Sequence, residues 1–179
     1  ATQTLLAWIR VLQEADLSRL TKLFPVLPDK QSAAWLTSLA ETMIDQQSTL
    51  GAGGLSFADV AASEHAAADR QRWVELSELE REFDQLLRAK NLVSTQRMKQ
   101  QRSHESALPP DVRRICVIGV ADPPPLFGHW LRAAAAHCEV SVCVQAPQSA
   151  AMQFNDIGQP SRAHWGEEAA VVVPVDETQ

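Results

Sequence analysis

One stretch limits what this chain can fold into: Arg113-Arg114-Ile115-Cys116-Val117-Ile118-Gly119-Val120-Ala121-Asp122-Pro123-Pro124-Pro125-Leu126. Its apolar, partly β-branched run is too short for a buried helix and predicts a strand covered on both faces. The run ends at Gly119. A polar turn and three prolines follow, and Leu126 to Cys138 is patterned as a helix with Pro125 suited to its first position. Glu139 to Gln145 then predicts a second strand. Strand, helix and strand in this order predict a right-handed parallel β–α–β unit. Ligands of open α/β sheets bind beyond the carboxyl ends of such strands. Here that end offers a lone glycine and prolines, which lack amides to cradle a phosphate.

The remainder of the chain predicts helices. Leu5, Trp8, Ile9 and Leu12 make one apolar stripe at helical spacing. Asp16 and Ser18 restart the chain as a short second helix through Leu23, and the next helix is expected from a cap at Asp29 to about Leu50, ending in Gly51-Ala52-Gly53-Gly54. That glycine cluster is not a phosphate loop, because no Lys-Ser/Thr pair follows it and a helix precedes it. Ser56 with Asp59 is a near match to the capping box. The longest helix is expected from Asp69 to Lys90, with Trp73, Leu76, Leu79, Glu80, Phe83, Leu86 and Leu87 on its buried face and one charge at the margin. Its Glu75, Glu78, Glu80, Glu82 and Asp84 are expected on a solvated face. A further helix is expected from Ser94 to about His104. After the second strand, Phe154 to Pro160 predicts a turn-rich loop, Ser161 to Trp165 a helical turn, and Ala170 to Val175 a third strand.

Charge and cysteine usage exclude several classes of function. The net charge of −6 argues against wholesale attraction to polyanions. A local exception is the window holding Arg88, Lys90, Arg97, Lys99 and Arg102, which has no acidic residue between Asp84 and Glu105. It is the best candidate for contacts to nucleic-acid phosphates. No apolar run approaches the ~20 residues that span a bilayer, so no membrane partner is expected. Cys116, Cys138 and Cys143 lack metal-ligand spacing and are expected as small core hydrophobes in a reducing, cytoplasmic compartment. None of His65, His104, His129, His137 and His164 is spaced for a closed metal site, so neither metal nor cofactor is expected. Asp122 and His129 flank the strand end as a conceivable proton-transfer pair, but no nucleophile elbow accompanies them. The chain starts without Met and is expected to be part of a longer protein.

The run from Arg113 to Leu126, Val140 to Val144, Ala146-Pro147, Phe154-Asn155-Asp156-Ile157-Gly158-Gln159-Pro160 and Trp165 together resemble the AddB-like proteins. Leu55 to Ala61 and Trp73 to Glu80 fit the helical part of that pattern. Those proteins are subunits of a bacterial helicase–nuclease that processes double-strand DNA breaks. The resemblance implies an α/β chain, divided into an all-helical subdomain over 1–107 (a helicase 1B-like insertion) and a small, mostly parallel sheet with a flanking helix over 108–179 (a partial P-loop-NTPase-like helicase domain 1A). It further implies an inactivated superfamily I helicase-like region. An active relative would end the first strand in an acidic pair for magnesium. Gly119 and Val120 stand there instead, and Asp122 marks the degenerate nucleotide-site position. The Walker A segment, nuclease motif and cluster cysteines of the family are not in this sequence. The implied role is non-catalytic: helping to bind or guide DNA, with an AddA-like helicase subunit as partner. The alternative is a scaffold that docks such a subunit without touching DNA.

Overall fold

A computed structural model describes residues 2–105, 108–120 and 122–161. The turn over 162–165 and the strand expected at 170–175 lie outside them. The fold mixes α and β structure. Among the described residues it has six α-helices, three short 3-10 segments and one two-stranded parallel sheet. The chain divides into two compact units, Ala1–Ala107 with Pro124–Ala133, and Leu108–Pro123 with Ala134–Gln179.

The first unit is helical. Helix α1 (Thr2–Glu14) buries Trp8, Val11 and Leu12, three members of its predicted stripe or its immediate neighbours. Asp16 caps a 3-10 turn at Leu17–Arg19, shorter than the helix expected there. Helix α2 (Ala33–Ala52) starts behind Ser32, whose hydroxyl accepts the amide of Trp35. The cap is therefore three residues later than Asp29. At its other end Gly54 takes φ +79°, and the amides of Gly54 and Leu55 bond the carbonyls of Gly51 and Leu50. This is the left-handed glycine cap that the glycine cluster predicts. Helix α3 (Phe57–Ala62) carries both halves of the Ser56–Asp59 capping box.

Helix α4 (Arg70–Ala89) packs against α1 and α3. Trp8 of α1 and Phe83 of α4 are fully buried and stacked, with ring centroids 4.5 Å apart. Each ring removed from water contributes about 1.5–3 kcal/mol. Leu12, Leu36, Met43, Phe57, Leu76 and Leu79 complete this core. Asn91, at φ 55°, ends α4 in the same cap geometry, with the Leu92 amide on the Leu87 carbonyl. Ser94 caps α5 (Thr95–His104), which packs on α2. Gly51 permits that approach: a Cβ there would lie 2.7 Å from Gln96 Oε1 and 3.2 Å from Gln96 Cβ. Helix α6 (Pro125–Ala134) begins at Pro125 as expected.

The second unit holds β1 (Arg114–Ile118) and β2 (Glu139–Cys143), paired in parallel with Arg114 opposite Glu139 and Ile118 opposite Cys143. A parallel pair needs a crossover, and α6 lies within the crossover segment. The expectation of a strand covered on both faces fails. Val117 is buried, whereas Arg114, Cys116 and Ile118 on the other face are exposed, Ile118 at 72%. The loop at 154–160 closes on itself. Asn155 Oδ1 accepts the amides of Ile157 and Gln159, and Phe154 bridges Pro160. Gly158, at φ +78°, lies against β2 and its exit, where a Cβ would stand 2.9 Å from Val142 Cγ1 and Val144 Cγ2. Gln159 Nε2 donates to the Pro123 carbonyl at 2.7 Å. Among the described residues no helix is long and apolar enough to cross a membrane.

Candidate functional site

The basic window is split by the helix that carries most of it. Arg97 faces α4, where its Nε donates to Asp84 Oδ2. Asp84 is 6% exposed, so Arg97 neutralises a buried carboxylate and belongs to the fold as much as to the surface. Lys99 and Arg102 lie three residues apart on another face of α5 and are exposed. Lys99 lines a groove with Thr2, Leu5, Glu41 and Asp45, whereas Arg97 lines a different cleft. Arg88, in the last turn of α4, and Lys90, its C-cap, are exposed. Arg88, Lys90, Lys99 and Arg102 make no ion pair among the described residues.

Asp122 is exposed in the turn after β1. The strand end before it is Gly119, at φ +67° with open space around its Cα, and its amide bonds the Cys143 carbonyl at 3.2 Å. The tip is therefore tied to the neighbouring strand by this backbone bond. His129 stands in the helical unit beside His104, with ring centroids 6.3 Å apart.

Sequence reasoning missed a polar cleft in the helical unit. It has a volume of about 470 Å³ and is lined by Gln47, Glu80, Asp84, Arg97, His104 and His129 among others. At its back a relay of hydrogen bonds joins four helices. The Trp8 indole donates to Gln47 Oε1 at 3.0 Å, Gln47 Nε2 donates to Glu80 Oε1 at 2.8 Å, and the Phe57 amide donates to Glu80 Oε2 at 3.1 Å. Burial raises the Glu80 carboxyl above its ordinary range, the bonds from Gln47 and Phe57 oppose that rise, and the charge of Asp84 adds to it.

The acidic side of α4 is thus only partly a solvated face: Glu78 and Glu82 are exposed as expected, whereas Glu75 and Asp84 are buried and Glu80 is half-buried. Glu75 is 5% exposed and accepts the amides of Lys22 and Leu23, at 3.0 and 2.7 Å through Oε2. Backbone donors and an arginine supply the partners that a buried carboxylate requires. The thiols also differ from expectation. Cys116 and Cys143 are exposed, and their sulfurs lie 4.0 Å apart. Among the described residues no cluster of three or more His, Cys, Asp or Glu is arranged to hold a metal ion.

No protein family matches the sequence, and no curated protein or solved structure matches it.

Proposed function

We propose that this chain is a non-catalytic, helicase-like part of an AddB-like subunit in a double-strand-break repair helicase–nuclease, where it helps to bind or guide DNA. One observation carries the reading. Two of the segments that carry the resemblance, 113–126 and 154–160, are 28 residues apart in sequence but meet through the Gln159–Pro123 bond. The second segment's glycine packs against Val142 and Val144, at the place where only a hydrogen fits. A strand tip closed by Gly119, a buried Pro123 and a docked loop is consistent with a nucleotide-domain strand that has exchanged its magnesium carboxylates for packing. In this reading the second unit is a partial P-loop-like sheet and the helical unit the adjoining insertion.

The DNA role rests on Arg88, Lys90, Lys99 and Arg102, which are exposed cations without an internal partner among the described residues. Such side chains neutralise phosphates without reading sequence, so binding is expected to be salt-dependent and tolerant of sequence. Fluorescence anisotropy with single- and double-stranded oligonucleotides at low salt tests this. Absence of binding at high protein concentration would remove the DNA role. The open sheet face with Ile118 favours a second reading, a scaffold that docks an AddA-like helicase subunit. Capture of that subunit by a chain that binds no DNA would select it.

A further inference from the structure

Cys116 and Cys143 occupy adjacent, hydrogen-bonded strands. The register sets Cys116 opposite Ser141 and Cys143 opposite Ile118, so the two cysteines are offset by one pleat on the same sheet face. Their side chains lean together until the sulfurs are 4.0 Å apart, and both residues are exposed. The third cysteine does not take part, since Cys138 Sγ donates to the Ala134 carbonyl at 3.5 Å.

We propose that this pair is a dithiol site that captures one soft, thiophilic centre, a metal or a metalloid, between its two sulfurs. The separation suits such a bridge better than it suits a disulfide. Metal–sulfur bonds of about 2.3 Å set two sulfurs about 3.8 Å apart at a tetrahedral angle and about 4.0 Å apart in a trigonal plane. A disulfide needs ~2.0 Å between sulfurs. Diagonal neighbours on one sheet face have Cα atoms roughly 7–8 Å apart, at or past the limit for a disulfide. The backbone ladder holds both cysteines in place, so the second sulfur binds as an intramolecular ligand at high effective concentration. Arg114 and Glu139, at the start of the same face, are bonded to each other at 2.8 Å and leave the thiols as its soft ligands. Soft sulfur ligands select soft centres over magnesium or calcium. The one or two positions left on a trigonal or tetrahedral centre are filled by its own substituents or by solvent, because Cys138 is hydrogen-bonded to the Ala134 carbonyl instead.

A trivalent arsenical is the appropriate probe. Phenylarsine oxide reacts with two thiols without redox change: two arsenic–sulfur bonds form, the arsenic–oxygen bonds break, and oxygen leaves as water with both thiol protons. Intact mass should show one phenylarsenic adduct per chain, and titratable thiols should fall from three to one. Cys116→Ser and Cys143→Ser should each weaken adduct formation by about 10²–10⁴-fold, the loss of an intramolecular second ligand. Cys138→Ser should leave it unchanged. Circular dichroism and the Cys116→Ala variant separate loss of the site from loss of the fold. Retention of the adduct in either single variant, dependence on Cys138, or three thiols still titratable after exposure to the arsenical would overturn the proposal.

Discussion

Gln47 Nε2 donates to Glu80 Oε1 at 2.8 Å, and this bond fixes the direction of every hydrogen bond in the relay behind the cleft. Trp8 can only donate, so Gln47 must turn its oxygen to the indole and its amide nitrogen to Glu80. Glu80 must then accept at one oxygen from Gln47 and at the other from the Phe57 amide. Gln47→Ala leaves both the indole and the carboxylate short of a partner. A loss of about 1–3 kcal/mol in unfolding free energy is expected, read from urea denaturation followed by tryptophan fluorescence.

The same carboxylate makes stability depend on pH. Because burial raises the folded-state value of Glu80 above its ordinary 4.5, the folded chain keeps a proton that the unfolded chain has released. Unfolding therefore releases protons between 4.5 and the folded value. The contribution of Glu80 is greatest below that window and declines as pH rises through it. Glu80→Gln, which cannot ionise, should flatten this part of the curve. It should also lose one relay bond, since an amide offers only one acceptor to two donors. Denaturation midpoints for both proteins from pH about 4 to 8 check the sign.

Arg97 and the pair Lys99 with Arg102 should separate stability from DNA binding. Arg97→Ala strands the buried Asp84 carboxylate. It should cost about 1–3 kcal/mol of stability while changing DNA affinity little. Lys99→Glu combined with Arg102→Glu, both exposed, should leave the denaturation curve in place. It should lower the slope of log affinity against log salt by about 2. The reverse assignment of effects would show that the window is divided differently.

Two glycines with similar backbone angles should respond unequally. Gly119→Ala faces open space and bears only the left-handed conformational cost of about 1–2 kcal/mol. Gly158→Ala bears that cost and drives a methyl to 2.9 Å from two valine methyls, adding about 1–3 kcal/mol. Thermal unfolding, with hydrogen exchange at the Ile157 and Gln159 amides, measures the difference.

What the sequence disclosed was whatever depends on neighbours a few residues away. The stripe of α1, the Ser56–Asp59 box, the start of α5 at Ser94, the glycine end of α2 and the Pro125 start of α6 are local chemistry, and all are present. What it concealed depends on distant partners. Glu75 looks solvated until Lys22 and Leu23, more than fifty residues earlier, bring their amides to it. Asp84 looks solvated until Arg97 turns towards it from the next helix. The cleft arises from segments spread between Gln47 and His129, and no periodicity announces it. The thiols were misplaced because β-branched neighbours suggest a covered strand, whereas one face of this pair is open.

Gly51 acts as a gauge block by what it lacks. With no methyl at that position, α5 can lie close enough for Gln96 to touch the α2 backbone, and Ser94, Arg97 and His104 are carried inward along with it to form one wall of the cavity. A methyl there would meet the Gln96 side chain at 2.7 to 3.2 Å, so Gln96 would have to turn its amide away and its Cβ give ground slightly. The fit between the two helices is thus tuned at the helix that carries no charge of the Arg97–Asp84 pair, by a single hydrogen atom.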